Sequence, residues 1–203
     1  MNLRFFYFLK ATVGPLLRWA YRVRYHGQEN QIEDGPVIYV VNHVSMMDPI
    51  LIMLGLRRHL SFVAKVELFR NPIASWFFTK VGVIPLNRGK ADVKAIKESL
   101  RRLKEGMAFG IFPEGTRSRD GVTANFEPGA ALLAVKSGAP VIPVRIHNTY
   151  KKFSRQGVDV TFGEPLRFTL PEGEKASGER LEAIAGEMKA AVQALSLPEP
   201  RIS

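Results

Sequence analysis

Residues 35–56 read GPVIYVVNHVSMMDPILIMLGL and carry the local signals that decide the fold. The apolar run Val37–Val41 follows a Gly-Pro pair, which predicts a short buried strand. Asn42 and His43 come directly after this strand, so we expect them at its carboxyl end. Pro49–Leu56 then predicts a helix, since proline suits the first helical turn.

Strands and helices continue to alternate along the rest of the chain. Strands are predicted at Leu60–Lys65, Val81–Leu86, Ala108–Phe112, Pro140–Ile146 and Val158–Phe162. Helices are predicted at Pro72–Lys80, Ala91–Gly106 and Gly129–Ser137, and from Leu181 to Leu195 after a loop at Pro171–Gly178. This order predicts an α/β fold with a mixed, largely parallel sheet flanked by helices. Ligands of such sheets gather at the carboxyl ends of the strands.

Composition narrows the range of partners. The 203 residues include 29 lysines and arginines against 19 acids, a net charge of +10. This charge favours an anionic partner, such as nucleic acid, a phospholipid surface or a phosphorylated substrate. No nucleic-acid recognition motif is evident, so we do not expect a nucleic-acid partner. The chain has no cysteine, which excludes disulfides, thiolate metal sites and a cysteine nucleophile.

The first 26 residues combine five basic side chains with many aromatic and aliphatic ones and contain no acid. Lys10, the Gly14-Pro15 pair and Arg18 interrupt the apolar run, which argues against a membrane-spanning helix and against a signal peptide. Aromatic rings mixed with cations suit a segment that lies at a membrane surface. We therefore expect residues 1–30 to be a membrane-associating helical segment. The alternative is a helix packed on its own domain with its charges outward.

His43 and Asp48 form the first candidate site. Histidine accepts a proton near neutral pH, and a carboxylate on its other ring nitrogen stabilises the charged form. Two residues that are five positions apart do not lie on the same face of one helix. Their side chains can still meet if the chain turns after His43 and Asp48 begins the next helix. The Asp48-Pro49 pair supports such a turn. The alternatives are a structural histidine and an aspartate that only caps the helix.

The loop at residues 112–119, FPEGTRSR, forms the second candidate site. Gly115 lets backbone N–H groups approach an anion, and Thr116 adds a hydroxyl. Arg117 offers a planar fork of donors that suits phosphate. The pattern predicts a phosphate cradle. The alternative is a charged surface turn in which Glu114 and Arg117 pair with each other.

Other chemistries lack their signatures. The segment Gly82–Lys90 superficially resembles a P-loop, but its spacing is too long and Ala91 stands where Ser or Thr is required. Arg88 remains either a second phosphate contact or a solvated side chain. The sequence has no nucleophile elbow, no dinucleotide-binding glycine pattern and no histidines at metal-ligand spacing, so we expect no metal.

Four blocks of this sequence together resemble the 1-acylglycerol-3-phosphate acyltransferase family, also called lysophosphatidic acid acyltransferases. The blocks are NHVSMMD at residues 42–48, GVIPLNRG at 82–89, FPEGTRS at 112–118 and VIPV at 141–144. The segment AKVELF at 64–69 also resembles a stretch that the family carries between its first two blocks. The form of the third block favours a lysophospholipid acceptor.

The resemblance implies a direct acyl transfer. His43 would remove the proton from the sn-2 hydroxyl of 1-acyl-glycerol-3-phosphate, while Asp48 orients and stabilises His43. The alkoxide would attack an acyl thioester, on coenzyme A or acyl carrier protein, to give phosphatidic acid. No covalent enzyme intermediate and no cofactor beyond the acyl donor is implied.

The resemblance also implies where the substrates bind. The acceptor phosphate would be held by Arg117 with Glu114, Gly115 and Thr116, and further contacts would come from Arg88 and Lys65. The apolar side chains Trp76, Phe77, Phe78 and Leu86 would line an acyl channel or form ordinary core. The basic helix 91–104 would meet the acyl donor or lipid headgroups, or be a solvated face.

Residues 31–203 would then be the acyltransferase domain, which the N-terminal segment holds at the cytoplasmic face of the cell membrane. Two alternatives remain open. One is an acyltransferase for another lysolipid, such as lyso-ornithine lipid. The other is a non-catalytic protein of the same fold that binds lipid phosphate.

Overall fold

The computed structural model describes residues 2–87, 92–115, 125–149, 156–171, 173–174 and 176–195. The strands are β1 (Arg24–His26), β2 (Val37–Val41), β3 (Leu60–Lys65), β4 (Ile84–Leu86), β5 (Ala108–Ile111), β6 (Val141–His147) and β7 (Asp159–Phe162). The helices are α1 (Leu3–Thr12), α2 (Gly14–Ala20), α3 (Asp48–Gly55), α4 (Pro72–Lys80), α5 (Val93–Lys104), α6 (Gly129–Ser137) and α7 (Gly178–Ala194). Short 3₁₀ turns lie at Gln28–Asn30 and Val66–Phe69.

The strands form one sheet in the order β1-β7-β6-β2-β5-β3-β4. Strands β2 to β6 run parallel to one another in this sheet, whereas β7 runs antiparallel to β6 and parallel to β1. The sequence-based fold class, a mixed and largely parallel α/β sheet, is confirmed. Because β2 to β6 are parallel, their carboxyl ends meet at one edge of the sheet.

Strand β2 lies inside the sheet and all five of its residues are buried. Ile38 and Val40 face the core under α5, α6 and α7, while Val37, Tyr39 and Val41 face the core under α2 and α3. A strand buried on both faces reads as a continuous apolar run, which is why the sequence identified it.

Local capping explains several helix boundaries. The side chain of Asn71 accepts hydrogen bonds from two N–H groups at the start of α4, and Asp92 does the same for α5. Ser177 caps α7 through the Arg180 N–H, so the helix begins inside the segment predicted as a loop at Pro171–Gly178, and that prediction is wrong at its last residue. Gly106 follows α5 with φ 77°, as expected of a glycine that ends a helix.

One strand prediction was wrong in its bounds, and one strand was not predicted. The predicted strand Val81–Leu86 is shorter, because Val81 caps the end of α4 and Gly82, with φ 82°, turns the chain before β4. Strand β1 was missed altogether, because its three residues, Arg24–His26, have no apolar alternation. Arg24 and His26 are bound instead by Asp159 of β7, at 2.6 and 3.0 Å.

The N-terminal segment folds as two helices that pack on the domain. Two hydrogen bonds hold it: the Asn2 N–H donates to the Lys80 carbonyl, and the Lys10 ammonium donates to the Leu56 carbonyl. The Phe6 ring also packs against His59. Strand β1, which precedes the predicted division at residue 30, belongs to the same sheet as the rest of the domain. No helix among the described residues combines the length and the apolar character needed to cross a membrane.

The buried ring of His59 predicts a pH-dependent stability. Burial lowers the pKa of His59 below its ordinary 6.5, although its Nε2–H donates to the Val81 carbonyl at 2.8 Å. As the pH falls below 6.5, the unfolded chain takes up a proton that the folded ring resists. The free energy of unfolding should therefore fall, by up to about 1.4 kcal/mol per pH unit.

The measurement is urea unfolding between pH 8 and pH 5. His59→Gln keeps a side-chain donor for Val81 but cannot titrate, so its stability should decline less than that of the wild type across this range. Equal slopes for the two proteins would contradict the prediction.

Candidate active site

His43 and Asp48 meet at the carboxyl end of β2. The Nδ1 atom of the His43 ring lies 2.9 Å from Oδ2 of Asp48. The His43 side chain is 15% exposed and that of Asp48 is fully buried. With Asp48 as the acceptor, Nδ1 carries the proton and the lone pair sits on Nε2. The predicted pair is therefore formed, with one ring nitrogen available as a base.

Asp48 also shapes the loop that joins β2 to α3. Its Oδ2 atom accepts the backbone N–H groups of Val44 and Ser45, both at 2.7 Å, in addition to the His43 ring. The helix cap of α3 is Met47, and no side chain caps that helix. Asp48 thus binds the loop before its helix, so the alternative that it merely caps α3 is wrong.

Asn42 fixes the end of β2 through hydrogen bonds that the sequence did not indicate. Its side-chain amide donates to the Ile146 carbonyl at 3.0 Å and accepts from the Ile146 N–H at 2.8 Å. The amide thereby continues the pairing of β2 with β6 beyond Val41, where the backbone turns away. The only sequence signal was an asparagine directly after a buried strand.

Glu114 joins the third sequence block to the first. It is 5% exposed, and its Oε1 atom accepts the His43 N–H at 3.1 Å. The resemblance placed Glu114 at the acceptor phosphate, where a carboxylate would repel the anion. In the structure Glu114 binds the backbone of His43, and its contact with the acceptor phosphate stays a prediction.

The remaining predicted phosphate contacts are described in part. Gly115 follows Glu114 with φ 67°, a conformation that favours glycine. Lys65 ends β3 at the same edge of the sheet as His43 and is exposed. Thr116, Arg117 and Arg88 lie outside the described residues, so their roles stay predictions.

The second and fourth blocks supply strands. Residues 141–144 belong to β6, are buried, and pair with β2. Residues 84–86 are β4, which lies at the edge of the described sheet and pairs with β3. No group of three or more His, Asp or Glu side chains in the described part of the chain could hold a metal ion.

Helix α4 does not form ordinary core. None of its residues is buried, and Trp76 is 54% exposed. The Phe5 ring of α1 packs edge-on against Trp76 at 5.5 Å, so α1 and α4 share a surface. The core alternative for Trp76, Phe77 and Phe78 is therefore wrong, whereas the acyl channel stays a prediction.

Part of the basic surface of α5 is neutralised internally. Glu98 binds both Arg101 and Arg102, and these two cations lower its pKa to about 2. Arg102 also donates to Ser61 and to the Gly82 carbonyl, which ties α5 to the sheet. Exposed cations remain at Lys94, Lys97 and Lys104.

A histidine–aspartate pair at the carboxyl edge of a largely parallel α/β sheet is the kind of arrangement with which enzymes remove a proton from a hydroxyl group. Comparison with known proteins agrees with this class. The family model described as Acyltransferase matches residues 22–147, and the chain belongs to that acyltransferase family.

Relatives and a solved structure carry a more specific name. The chain is 37% identical over 134 residues to the chloroplastic 1-acyl-sn-glycerol-3-phosphate acyltransferase LPAT1 of Arabidopsis thaliana, a match that covers 64% of this chain and 37% of that protein. It is 30% identical over 148 residues to the 1-acyl-sn-glycerol-3-phosphate acyltransferase of Bacillus subtilis, with coverages of 71% and 73%.

The crystal structure of the 1-acyl-sn-glycerophosphate acyltransferase PlsC from Thermotoga maritima has the same fold. It superposes with a TM-score of 0.69 at 31% identity, over 94% of this chain and 79% of that one. The chain spans 37 to 52% of the length of the first curated relatives that it matches.

The hydrogen bonds of Asp48 predict different effects of two substitutions. Asp48→Ala leaves the buried N–H groups of Val44 and Ser45 without an acceptor, which should cost about 3 kcal/mol of unfolding free energy. Asp48→Asn retains an oxygen that can accept both bonds, so its loss should be under about 1 kcal/mol. Urea unfolding at pH 7.5 measures both, and equal losses would contradict the hydrogen-bonding role.

Proposed function

We propose that this protein transfers a fatty acyl group from acyl-coenzyme A or acyl carrier protein to the sn-2 hydroxyl of 1-acyl-glycerol-3-phosphate, which yields phosphatidic acid. The observation that carries the proposal is the His43–Asp48 pair, with Nδ1 of His43 bound to the carboxylate and Nε2 left as the base. The names of the relatives supply the substrate class.

The reaction needs one proton carrier. Nε2 of His43 takes the proton of the acceptor hydroxyl as the oxygen attacks the thioester carbonyl, and Asp48 stabilises the resulting imidazolium. The new ester C–O bond forms, the C–S bond breaks, and the proton passes to the departing sulfur. General-base catalysis of this kind accelerates a reaction by about 10² to 10⁴-fold. The reaction needs no cofactor beyond the acyl donor.

The third block serves two purposes in this proposal. Glu114 holds the backbone of His43, and the residues after it, Gly115 to Arg117, bind the acceptor phosphate. Lys65 adds positive charge at the same edge of the sheet, and Arg88 is a further phosphate contact in this proposal. The lysines of α5 that have no acidic partner on the helix attract the phosphates of coenzyme A or the acidic surface of acyl carrier protein.

The N-terminal helices hold the protein on the membrane surface. Their inner side packs on the domain through Phe6, while their outer side exposes large apolar groups: Leu3, Tyr7, Phe8, Val13, Leu16 and Trp19. Ile73 and Trp76 of α4 extend this apolar surface beside α1. Burial of such side chains in the headgroup region, together with the net charge of +10, favours an anionic lipid surface.

Replacement of the base tests the proposal. His43→Ala should lower the release of free thiol from acyl-coenzyme A or acyl carrier protein in the presence of 1-acyl-glycerol-3-phosphate by at least about 10²-fold, without a change in melting temperature of more than a few degrees. Arg57→Ala, a substitution at an exposed ion pair with Glu33, is the matched control and should retain its turnover. Near-normal turnover of the His43 variant would contradict the mechanism.

A panel of acceptors separates the alternatives. Activity with lyso-ornithine lipid and none with 1-acyl-glycerol-3-phosphate would indicate that the protein uses the same mechanism on a different acceptor. Binding of 1-acyl-glycerol-3-phosphate without thiol release from either donor would indicate a non-catalytic lipid-phosphate-binding protein.

The two tryptophans of the chain report on membrane contact. Trp19 is 78% and Trp76 54% exposed, so the emission of both should shift to the blue on anionic phospholipid vesicles and should be quenched by brominated acyl chains. The double variant Phe8→Ser, Leu16→Ser should bind vesicles at least about 10-fold more weakly. Val93→Ser, at an exposed valine of α5, is the control. Equal binding by all three proteins would contradict this membrane surface.

A further inference from the structure

Two aromatic rings, Phe112 and Phe62, are stacked beneath the imidazole of the candidate base. The centroid of the Phe112 ring lies 4.3 Å from that of His43, with 31° between the ring planes. On its other side Phe112 is stacked on Phe62, at 5.3 Å and 11°. The imidazole of His43 is therefore held at its face by Phe112 and at its Nδ1 edge by Asp48.

The sheet builds this column through its register. Val40 of β2 pairs with Ile111 of β5, so the residues just beyond these two strands, His43 and Phe112, come together. Phe62 of β3 pairs with Gly110. A Cβ atom at Gly110 would lie 2.3 Å from the Phe62 ring, so a glycine is needed there for that ring to take its place.

We propose that Phe112 is a positioning residue that acts through His43, an inference that rests on the proposed function for the reaction it serves. Its ring keeps the imidazole plane aligned with Asp48, so that Nε2 presents its lone pair toward the substrate. Its π-face also stabilises the imidazolium that forms when the base takes a proton, as aromatic faces do for cations. The first residue of the third block thus supports the base, whereas the later residues of that block bind the anion.

The charged groups around His43 are the same in the wild type and in variants at Phe112 or Phe62. Among the described residues, those bonded to it are Asp48, at the ring, and Glu114, at the backbone N–H. Substitutions at Phe112 and Phe62 alter neither group. A change in the titration of the imidazole then reports on the aromatic face.

The test compares Phe112→Leu, Phe112→Tyr and Phe62→Leu. Phe112→Leu removes the ring under the imidazole, so the acidic limb of the pH profile of kcat/KM should move to lower pH by roughly half a unit. Its kcat should fall about 10-fold while KM for the acceptor stays the same, because Phe112 orients the base and not the substrate. Phe112→Tyr keeps the ring face, so its pH profile and its kcat should match those of the wild type.

Phe62→Leu is the matched control, because it removes a ring of the same column that does not touch the imidazole. It should lower the melting temperature at least as much as Phe112→Leu but leave the pH profile in place. If Phe112→Leu does not fold, Phe112→Met, whose flexible side chain adapts to irregular gaps, takes its place. Equal pH profiles for Phe112→Leu and the wild type, or an equal shift in Phe62→Leu, would overturn the proposal.

An NMR titration of the His43 ring in the free protein makes this test independent of activity. The His43→Ala spectrum assigns the His43 signal among the four histidines of the chain. In Phe112→Leu the midpoint should move by the same half unit, and the ring signal should lose the shift that a stacked aromatic ring causes. If the wild type transfers no acyl group but the titration moves as expected, the proposed function fails and the support of His43 by Phe112 stands. If the wild type is active and the titration midpoint does not move, the proposed function stands and only the support of His43 by Phe112 fails.

Discussion

The carboxylate of Asp48 is fully shielded from solvent and accepts three hydrogen bonds through one oxygen, from the His43 ring and from the N–H groups of Val44 and Ser45. Burial of such a group costs several kcal/mol unless donors surround it. The donors come from a loop that has no regular secondary structure, so the same bonds that stabilise the carboxylate also determine the loop. The orientation of the His43 ring and the folding of the β2–α3 connection therefore depend on the same carboxylate.

This loop is held from three further directions by the sheet. Asn42 ties its start to Ile146 of β6, and Glu114, which follows β5, binds the N–H of His43. Phe112 lies against the face of the imidazole. Since β6 and β5 are the two neighbours of β2, one support comes from β6 and two come from the segment that follows β5. A side chain held by rigid elements in this way is oriented before any ligand arrives, which lowers the cost of reaching a reactive geometry.

The N-terminal helices show that the two interpretations of residues 1–30 are compatible. Lys10 and Phe6 bind the domain, while Phe8, Leu16 and Trp19 remain exposed. A helix has two sides, and here the side packed on the domain determines which apolar groups are left exposed. The sequence pattern alone could not divide the residues between these two sides, because apolar and basic residues are interspersed along the segment.

The sequence by itself determined the α/β class, most helices and central strands, and the His43–Asp48 pair. These depend on local signals: continuous apolar runs for buried strands, and a proline directly after an aspartate that ends a loop. Tertiary structure alone decided strand β1, the bonding of Asn42 and Glu114, and the stacking of Phe112. Arg24 and Asp159, or His43 and Glu114, are separated by 135 and 71 residues, so only the register of the folded sheet brings them together.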